Sequence, residues 1–342
     1  MVDFSSVLKF GSDKNSGSEY KNGLLKKSIL AYLVTVEEAT IADLSKELNI
    51  SIPTATKLVS ELKDDGYLTD HGKIETAGGR RPNVFGLASD AFYFLGVDVR
   101  RRRIEFVLVD FKGSIINKKE DTLFVLENTP EAFEHVCEEI EKFIAEIDVP
   151  QEKIIGMGMS LTGRVDSNNG YSYTYFNFNE TPLTDILQER LNILTYIEND
   201  SRAMMYAEKI FGVVKDEKNV LFLNLGRGVG VGMMFDDKLY YGKTGFAGEF
   251  GHIPLFDNEI ICHCGKKGCL ETEASGIALE KMFVTRMNAG ETSVLSEKKK
   301  SGKDILLYDI IEAANNDDVL SISLISEIAE KLGYDNPKNF TR

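Results

Sequence analysis

Apolar positions in the first ninety residues recur at helical spacing in three consecutive segments. The first segment predicts a helix over residues 20–34. Thr40 can cap a short second helix, and Ser51 can cap a third helix that ends near Gly66. The pattern therefore predicts a longer helix followed by two short helices that a tight turn joins.

From Phe92 onward, short apolar runs alternate with amphipathic segments. We expect strands at residues 92–98, 104–110, 154–160 and 220–225, and helices at 130–147, 182–191, 201–211 and 320–332. Strands that interleave with helices are typical of an α/β architecture. We therefore expect a flexible N-terminus over residues 1–19, a helical module over 20–88 and a larger α/β region over 89–342.

The charge balance restricts how this protein could contact nucleic acid. The 342 residues include 40 basic and 54 acidic side chains, which gives a net charge of −14. An acidic chain does not coat nucleic acid non-specifically, so any DNA contact must be confined to one module. The sequence has no run of about 18 apolar residues and does not begin with a signal-peptide pattern. We therefore expect a cytoplasmic protein without a membrane segment.

The third predicted helix has the composition of a DNA-reading helix. Its candidate contact residues are Ser51, Thr54, Thr56, Lys57 and Ser60. Small hydroxyl side chains allow a helix to enter the major groove deeply, and lysine reaches the phosphates. We expect a hairpin of residues 67–69 and 73–76 around Gly72 to follow, and then Arg80 and Arg81 on a glycine-rich tip that suits a minor groove. Helices and wing together indicate DNA binding, although a three-helix protein-interaction domain with a solvated basic loop has the same pattern.

A cluster of cysteines predicts a metal site. Its members are His252, Cys262, Cys264 and Cys269. Three thiolates and one imidazole complete the tetrahedral shell of Zn²⁺, so the metal would be structural, with no open position for water. A set of free buried thiols is the alternative, and His263 competes with His252 as the nitrogen donor. Cys137 is alone in an amphipathic helix and is expected to be a core residue.

Two segments carry a resemblance to a known family. The run from Gly245 to His252 (Gly-Phe-Ala-Gly-Glu-Phe-Gly-His) and the run from Cys262 to Glu271 (Cys-His-Cys-Gly-Lys-Lys-Gly-Cys-Leu-Glu) resemble the signature of the ROK family, which groups sugar kinases with transcriptional regulators. With a winged helix-turn-helix in front, the chain resembles the NagC/XylR-type regulators of that family. The resemblance implies an α/β, actin-like (ribonuclease H-like) ROK domain of two lobes, with a sugar bound in the cleft between them.

The resemblance also implies which residues bind the sugar. The matching positions are Asn199, Asp200, Glu249, His252 and Glu271. In the kinases of the family, the aspartate of the Asn-Asp pair takes the proton from the sugar hydroxyl. His252 would use one ring nitrogen for zinc and the other for sugar. The residues themselves leave a second role open for Asp200, which could cap the helix over 201–211.

Two departures from the family's kinases indicate a sensor rather than an enzyme. The kinases carry Asp-x-Gly-Gly-Thr after the first strand, whereas Asp98 is followed here by Arg100, Arg101, Arg102 and Arg103. The second phosphate loop, Gly-Thr-Gly in the kinases, contains Arg227 in place of the threonine. Glycine lets the backbone approach a phosphate closely and arginine does not, so we expect no kinase activity. The arginine run itself is equally compatible with a solvated turn and with a contact to an anion or the DNA backbone.

These observations together predict a sugar-responsive DNA-binding regulator, a repressor of carbohydrate metabolism genes. Its partners would be operator DNA and a sugar or sugar phosphate effector, and it would act as a homodimer or a dimer of dimers. The alternatives are an ATP-dependent ROK hexose or N-acetylhexosamine kinase and a zinc-dependent interaction scaffold. Because the residues after Leu332 depart from the family's usual continuation, we also expect the sugar-binding domain to be truncated at its C-terminus.

Overall fold

The computed structural model describes residues 17–73, 82–178 and 180–333. The chain divides into two compact units, Met1–Glu198 and Asn199–Arg342. Within the described residues, no helix has the length and apolar character needed to cross a membrane.

The first unit begins with a winged helix-turn-helix. Its elements are α1 (Gly17–Val36), β1 (Glu38–Thr40), α2 (Ile41–Glu47), α3 (Ile52–Asp64), β2 (Leu68–Lys73) and β3 (Asn83–Leu87). The strands form an antiparallel sheet in the order β1-β3-β2. The predicted caps are confirmed, because the Thr40 hydroxyl accepts the Asp43 N–H at 3.2 Å and the Ser51 hydroxyl accepts the Thr54 N–H at 3.3 Å. Each cap satisfies a backbone N–H that has no partner within its helix.

The wing differs from the predicted hairpin. The chain does not turn back at Gly72; β2 continues to Lys73 and pairs with β3. Gly72 has φ +89° and lies at a register shift within β2, where its N–H donates to Asp70 Oδ1 at 2.9 Å. The glycine therefore serves a bulge inside the strand, and the prediction of a turn there is wrong. Residues 74–81, which include Arg80 and Arg81, lie outside the described residues.

A five-stranded sheet forms the rest of the first unit. Its elements are β4 (Tyr93–Val99), β5 (Arg103–Asp110), β6 (Ile115–Leu123), α4 (Pro130–Glu146), β7 (Ile154–Leu161), β8 (Val165–Asp166), β9 (Tyr171–Ser172), α5 (Leu183–Leu191) and β10 (Thr195–Asn199). The strand order is β10-β7-β4-β5-β6, with β4 parallel to β7 and antiparallel to β5. Cys137 on α4 is buried in the core of this unit, as expected, and burial raises the pKa of its thiol to about 12.

Aromatic rings join the winged module to this sheet. Tyr67 of the module lies 5.3 Å from the Phe92 ring, which meets Phe111 edge-on at 5.6 Å. Phe94 at the start of β4 lies 6.5 Å from Phe111. Phe111 is 3% exposed and belongs to the same apolar cluster as Leu33 and the rest of the module core. The core of the winged module therefore extends onto the sheet, which also has a separate apolar core of its own.

The second unit is a small sheet with helices. Its elements are α6 (Asp200–Ile210), β11 (Val220–Leu225), β12 (Val229–Phe235), β13 (Lys238–Leu239), α7 (Leu270–Glu273), α8 (Gly276–Asn288), α9 (Ser296–Lys300), α10 (Leu307–Asn315) and α11 (Val319–Leu332). The sheet is antiparallel in the order β11-β12-β13, and α6 packs against β12. Buried residues of α8, α10 and α11, among them Phe283 and Leu324, form a separate apolar cluster.

The shared aromatic core makes a prediction about stability. Replacing Phe111 with Ala should cost about 3–5 kcal/mol, because it leaves a cavity beneath the winged module. Hydrogen exchange should show that amides of α1 and α3 lose protection. Phe106→Ala, which removes a ring stacked on Phe143 inside the sheet core, is the control and should affect α1 and α3 less. Unchanged protection of α1 and α3 in Phe111→Ala would show that the module folds independently.

Candidate functional site

Four side chains in the second unit form a tight group of soft ligands. His252 ends a short 3₁₀ turn, and the three cysteines lie in the loop between this turn and α7. The ligand atoms of His252, Cys262, Cys264 and Cys269 all lie within 4.8 Å of one another.

The spacing of these atoms matches a tetrahedral metal shell. The sulfurs of Cys264 and Cys269 are 3.6 Å apart, and Cys262 Sγ lies 3.5 Å from His252 Nδ1. A tetrahedral zinc ion with bonds of about 2.3 Å to sulfur separates two sulfurs by about 3.8 Å. The loop can fold back to this geometry because residue 268 is glycine: its φ is +67°, and a Cβ there would lie 1.9 Å from the Phe256 carbonyl oxygen. These residues could therefore hold a metal ion.

Burial disfavours the thiolate forms of two cysteines in the cluster. Burial, together with the neighbouring Cys264 thiol, raises the pKa of Cys269 to about 12. Burial also raises the pKa of Cys262. Two of the three thiols would thus be neutral at pH 7 unless a metal ion stabilised their thiolates.

His252 faces two different groups with its two ring nitrogens. Nδ1 points to the cysteine cluster, and Nε2 lies 3.6 Å from Glu249 Oε2. His263, the competing donor, is mostly exposed; its Nδ1 lies 3.8 Å from Cys262 Sγ and 3.3 Å from Glu271 Oε1. The group of four possible metal ligands therefore consists of His252 and the three cysteines. His263 belongs to a different group of possible ligands, together with His252 and Glu271.

Asn199 and Asp200 lie at the start of α6. Asn199 is the cap, and its Oδ1 accepts the N–H groups of Ser201 at 3.1 Å and Arg202 at 3.2 Å. Asp200 is the first helical residue, and its Oδ1 accepts the Ser201 N–H at 2.7 Å. The alternative role of Asp200 as the cap is therefore wrong, because the residue before it occupies that position.

Glu271 links the cysteine loop to the β11–β12 turn. Its Oε2 accepts the Val229 N–H at 3.1 Å, while its Oε1 faces His263. The side chain is only 13% exposed. The five sequence-predicted sugar ligands thus lie in three places. Glu249 is next to His252, and Glu271 is next to His263 in the cysteine loop. Asn199 donates a hydrogen bond to Asp200 at the start of α6.

Sequence reasoning missed Arg202. This residue is 2% exposed, and its Nη1 donates to the Gly245 carbonyl oxygen at 2.8 Å. Arginine is almost never fully buried, so its position on the third residue of α6 gave no signal of burial. Its contact connects α6 to the loop that carries Glu249.

The arginines in the kinase-type loops are engaged in ion pairs. Arg100 Nε donates to Asp98 Oδ2 at 2.5 Å, and its Nη2 lies 3.1 Å from Glu105 Oε2. Arg103 also pairs with Glu105, and Arg101 donates to the Tyr175 hydroxyl. These contacts balance the charge of Arg100 and Arg103 within the turn, which favours a solvated turn over a DNA contact.

Arg227 forms an ion pair with Glu280 of α8. Its Nη1 donates to both carboxylate oxygens of Glu280, at 3.0 and 3.1 Å. The carbonyl oxygens of Gly226 and Arg227 accept the N–H groups of Gly276 and Ile277 at the start of α8. The backbone N–H groups of Gly276 and Ile277 therefore already have hydrogen-bond partners, and the β11–β12 turn packs against the start of α8.

The polar face of α3 is open to solvent. Ser51, Thr56, Lys57 and Ser60 are exposed, and Thr54 is half-buried. The opposite face, with Ala55, Leu58, Val59 and Leu62, is buried in the module. Lys57 lies 3.8 Å from Glu61 in an exposed pair. The structure thus places all the described candidate DNA contacts on one surface.

Comparison with known proteins identifies the family. The ROK family profile matches residues 94–338, and a winged helix-turn-helix DNA-binding profile matches residues 24–69. The chain belongs to the ROK family. The predicted fold, a winged helix-turn-helix followed by a sugar-kinase-like ROK domain, is thereby confirmed.

Individual ROK proteins resemble the chain over most of its length. The xylose repressor of Bacillus spizizenii is 29% identical over 310 residues, which cover 90% of this chain and 76% of the repressor. A ROK family transcriptional regulator described as a homologue of the E. coli Mlc protein superposes with a TM-score of 0.67 at 26% identity, over 86% of this chain and 74% of that one.

The ROK kinases share part of this likeness. A ROK family glucokinase from Streptomyces griseus, solved with glucose and AMPPNP, superposes with a TM-score of 0.61 at 28% identity. The match covers 70% of this chain and 77% of the glucokinase. The chain therefore shares its fold with a ROK regulator and with a ROK kinase.

Proposed function

We propose that this ROK protein is a sugar-responsive DNA-binding transcriptional regulator that represses carbohydrate metabolism genes. The observation that carries the proposal is the presence, in one chain, of an exposed polar recognition helix and a kinase-like ROK domain. The regulator structure matches 86% of the chain and the glucokinase 70%. The name of the Bacillus relative, a xylose repressor, supports the same assignment.

The DNA-binding domain would comprise residues 20–88, and the ROK domain residues 89–342. Helix α3 would enter the major groove with its hydroxyl side chains, and Lys57 would contact a phosphate. Arg80 and Arg81 would reach the minor groove. One winged module contacts few bases, so we infer a homodimer, or a dimer of dimers, on half-sites about 34–36 Å apart.

The cysteine cluster would hold one structural Zn²⁺ through His252, Cys262, Cys264 and Cys269. Four protein ligands leave no position for water, so the ion supplies folding energy rather than catalysis. The ring of His252 would be fixed by this bond and would present Nε2 to Glu249 and to a sugar hydroxyl.

The sugar site would consist of Asn199, Asp200, Glu249, His252 and Glu271. Carboxylates accept hydrogen bonds from sugar hydroxyls, and an amide can both accept and donate. A sugar changes operator affinity only if it binds one arrangement of the protein better than another. The coupling is typically about 1–3 kcal/mol.

We infer that the domain binds sugar without phosphorylating it. Phosphoryl transfer depends on positioned phosphates, and here Arg100 and Arg227 occupy loop positions where the kinases have glycine and threonine. The Arg227–Glu280 pair and the occupied first turn of α8 support this inference. A sugar kinase with a DNA-binding module is the alternative, which the glucokinase similarity supports. ATP consumption with a panel of hexoses would identify it.

The first prediction concerns operator binding. An operator selected in vitro from random duplexes should bind Lys57→Ala more weakly, and the salt slope should fall by about 1 because one phosphate contact is lost. Lys142→Ala is the matched control, since Lys142 also pairs with a glutamate on its own helix but lies on α4. Fluorescence anisotropy across a salt series measures both quantities. A slope and an affinity identical to those of wild type would show that Lys57 does not contact the DNA backbone.

The second prediction concerns zinc. Elemental analysis of protein purified without chelator should find one zinc ion per chain, and Cys264→Ser should lose the ion and melt at a lower temperature. Cys137→Ser is the matched control: it disturbs a buried thiol of the first unit but should keep the zinc. Protein free of metal, or full zinc content in Cys264→Ser, would refute the assignment.

The third prediction concerns the effector. A thermal-stability screen of free and phosphorylated hexoses, pentoses and amino sugars should identify a ligand that releases the operator. Asp200→Ala should abolish this response and leave operator affinity without sugar intact, because Asp200 lies outside the winged module. Asp216→Ala, an exposed carboxylate in the same unit, should respond as wild type does. If Asp200→Ala still releases the operator at the sugar concentration that acts on wild type, the sugar sensor lies elsewhere.

A further inference from the structure

Arg202 is a buried cation next to the candidate sugar site. It follows Asp200 by two positions on α6, and its exposed fraction is 2%. Besides its hydrogen bond to the Gly245 carbonyl oxygen, its guanidinium lies 5.2 Å from the centre of the Tyr241 ring. Because an unpaired buried charge is costly, loss of these contacts would destabilise the surroundings of Arg202.

Gly245 and Tyr241, which the Arg202 guanidinium contacts, lie in one loop. The loop follows β13 and ends at Glu249, and residues 240–249 contain neither helix nor strand. Backbone hydrogen bonds hold its two ends: the Tyr240 N–H donates to the Met233 carbonyl at 2.8 Å, and the Gly248 carbonyl accepts the Val231 N–H at 3.1 Å. Between them, the Ala247 N–H donates to the Tyr241 carbonyl at 3.2 Å. Because the loop has no regular secondary structure between these bonds, side-chain contacts such as those of Arg202 contribute to its position.

The other end of the connection is rigid. The Asn199 cap and the Asp200–Ser201 hydrogen bond fix the first turn of α6, and Arg202 is part of that turn. The arginine therefore connects a fixed helix end that carries Asp200 with an irregular loop that carries Glu249.

We propose that Arg202 is a positioning residue for sugar binding, which sets the separation between Asp200 and Glu249. The proposal rests on the proposed sugar site. A planar guanidinium can donate to the Gly245 carbonyl and lie over the Tyr241 ring at once, whereas a lysine ammonium lacks both the plane and the fork. Charge alone therefore does not replace it.

The test compares sugar affinity in variants at both ends of this contact. Calorimetry uses whichever of D-xylose, D-glucose, N-acetyl-D-glucosamine and their phosphates binds wild type most tightly. Arg202→Ala and Arg202→Lys should both raise the Kd by about 10–100-fold, as loss of a supporting contact commonly does. Tyr241→Leu, which removes the ring and keeps the arginine, should raise it in the same direction. Arg286→Ala is the control: Arg286 lies on α8 and pairs with Glu291, and the variant should bind sugar as wild type does.

Chemical rescue separates positioning from general stability. Adding ~50 mM guanidinium, too little to lower the free energy of unfolding greatly, should restore much of the affinity of Arg202→Ala and none of that of Arg202→Lys, whose side chain fills the space. Zinc content and operator affinity without sugar should equal those of wild type in each variant. If Arg202→Lys binds sugar as wild type does, or if guanidinium restores nothing to Arg202→Ala, the proposal is wrong. If wild type itself binds no sugar in the panel, the proposed function fails before this contact is tested.

Discussion

The ring of His252 is the point on which the candidate site depends, since an imidazole can serve two groups only through opposite nitrogens. Nδ1 faces the Cys262 sulfur at 3.5 Å and Nε2 faces Glu249 at 3.6 Å. A metal bond on one nitrogen fixes the tautomer and leaves the other as a donor. The candidate metal cluster therefore lies next to the candidate sugar-binding residue Glu249, and His263 lies close to a second one, Glu271.

A second constraint acts in the first unit. Phe111 lies in the core of the winged module and also contacts Phe94 at the start of β4. The module is therefore not attached by a free linker. A displacement of the sheet strands would also displace the aromatic rings that pack against the core of the module. Two ligands that bind different parts of a protein affect each other's affinity only if they favour different arrangements of it.

What could be predicted from the sequence was local or carried by family motifs. The caps at Thr40 and Ser51 depend on neighbouring residues. The spacing of the cysteines predicted that their side chains lie close together, as they do in the structure. Strand β6 was missed because an edge strand with a charged centre lacks apolar alternation. The burial of Arg202 and the pairing of Arg227 with Glu280, 53 residues away, depend on tertiary contacts that no local pattern encodes.

The central claim is that one protein couples a sugar site to a DNA site, and thermodynamic linkage tests it most directly. Calorimetric titration of the effector into free protein and into protein saturated with operator gives two sugar affinities. Operator should weaken sugar binding by the same factor by which sugar weakens operator binding, roughly 5–150-fold for a typical coupling. Equal sugar affinity in the two titrations would show that the sites are independent and would contradict the account.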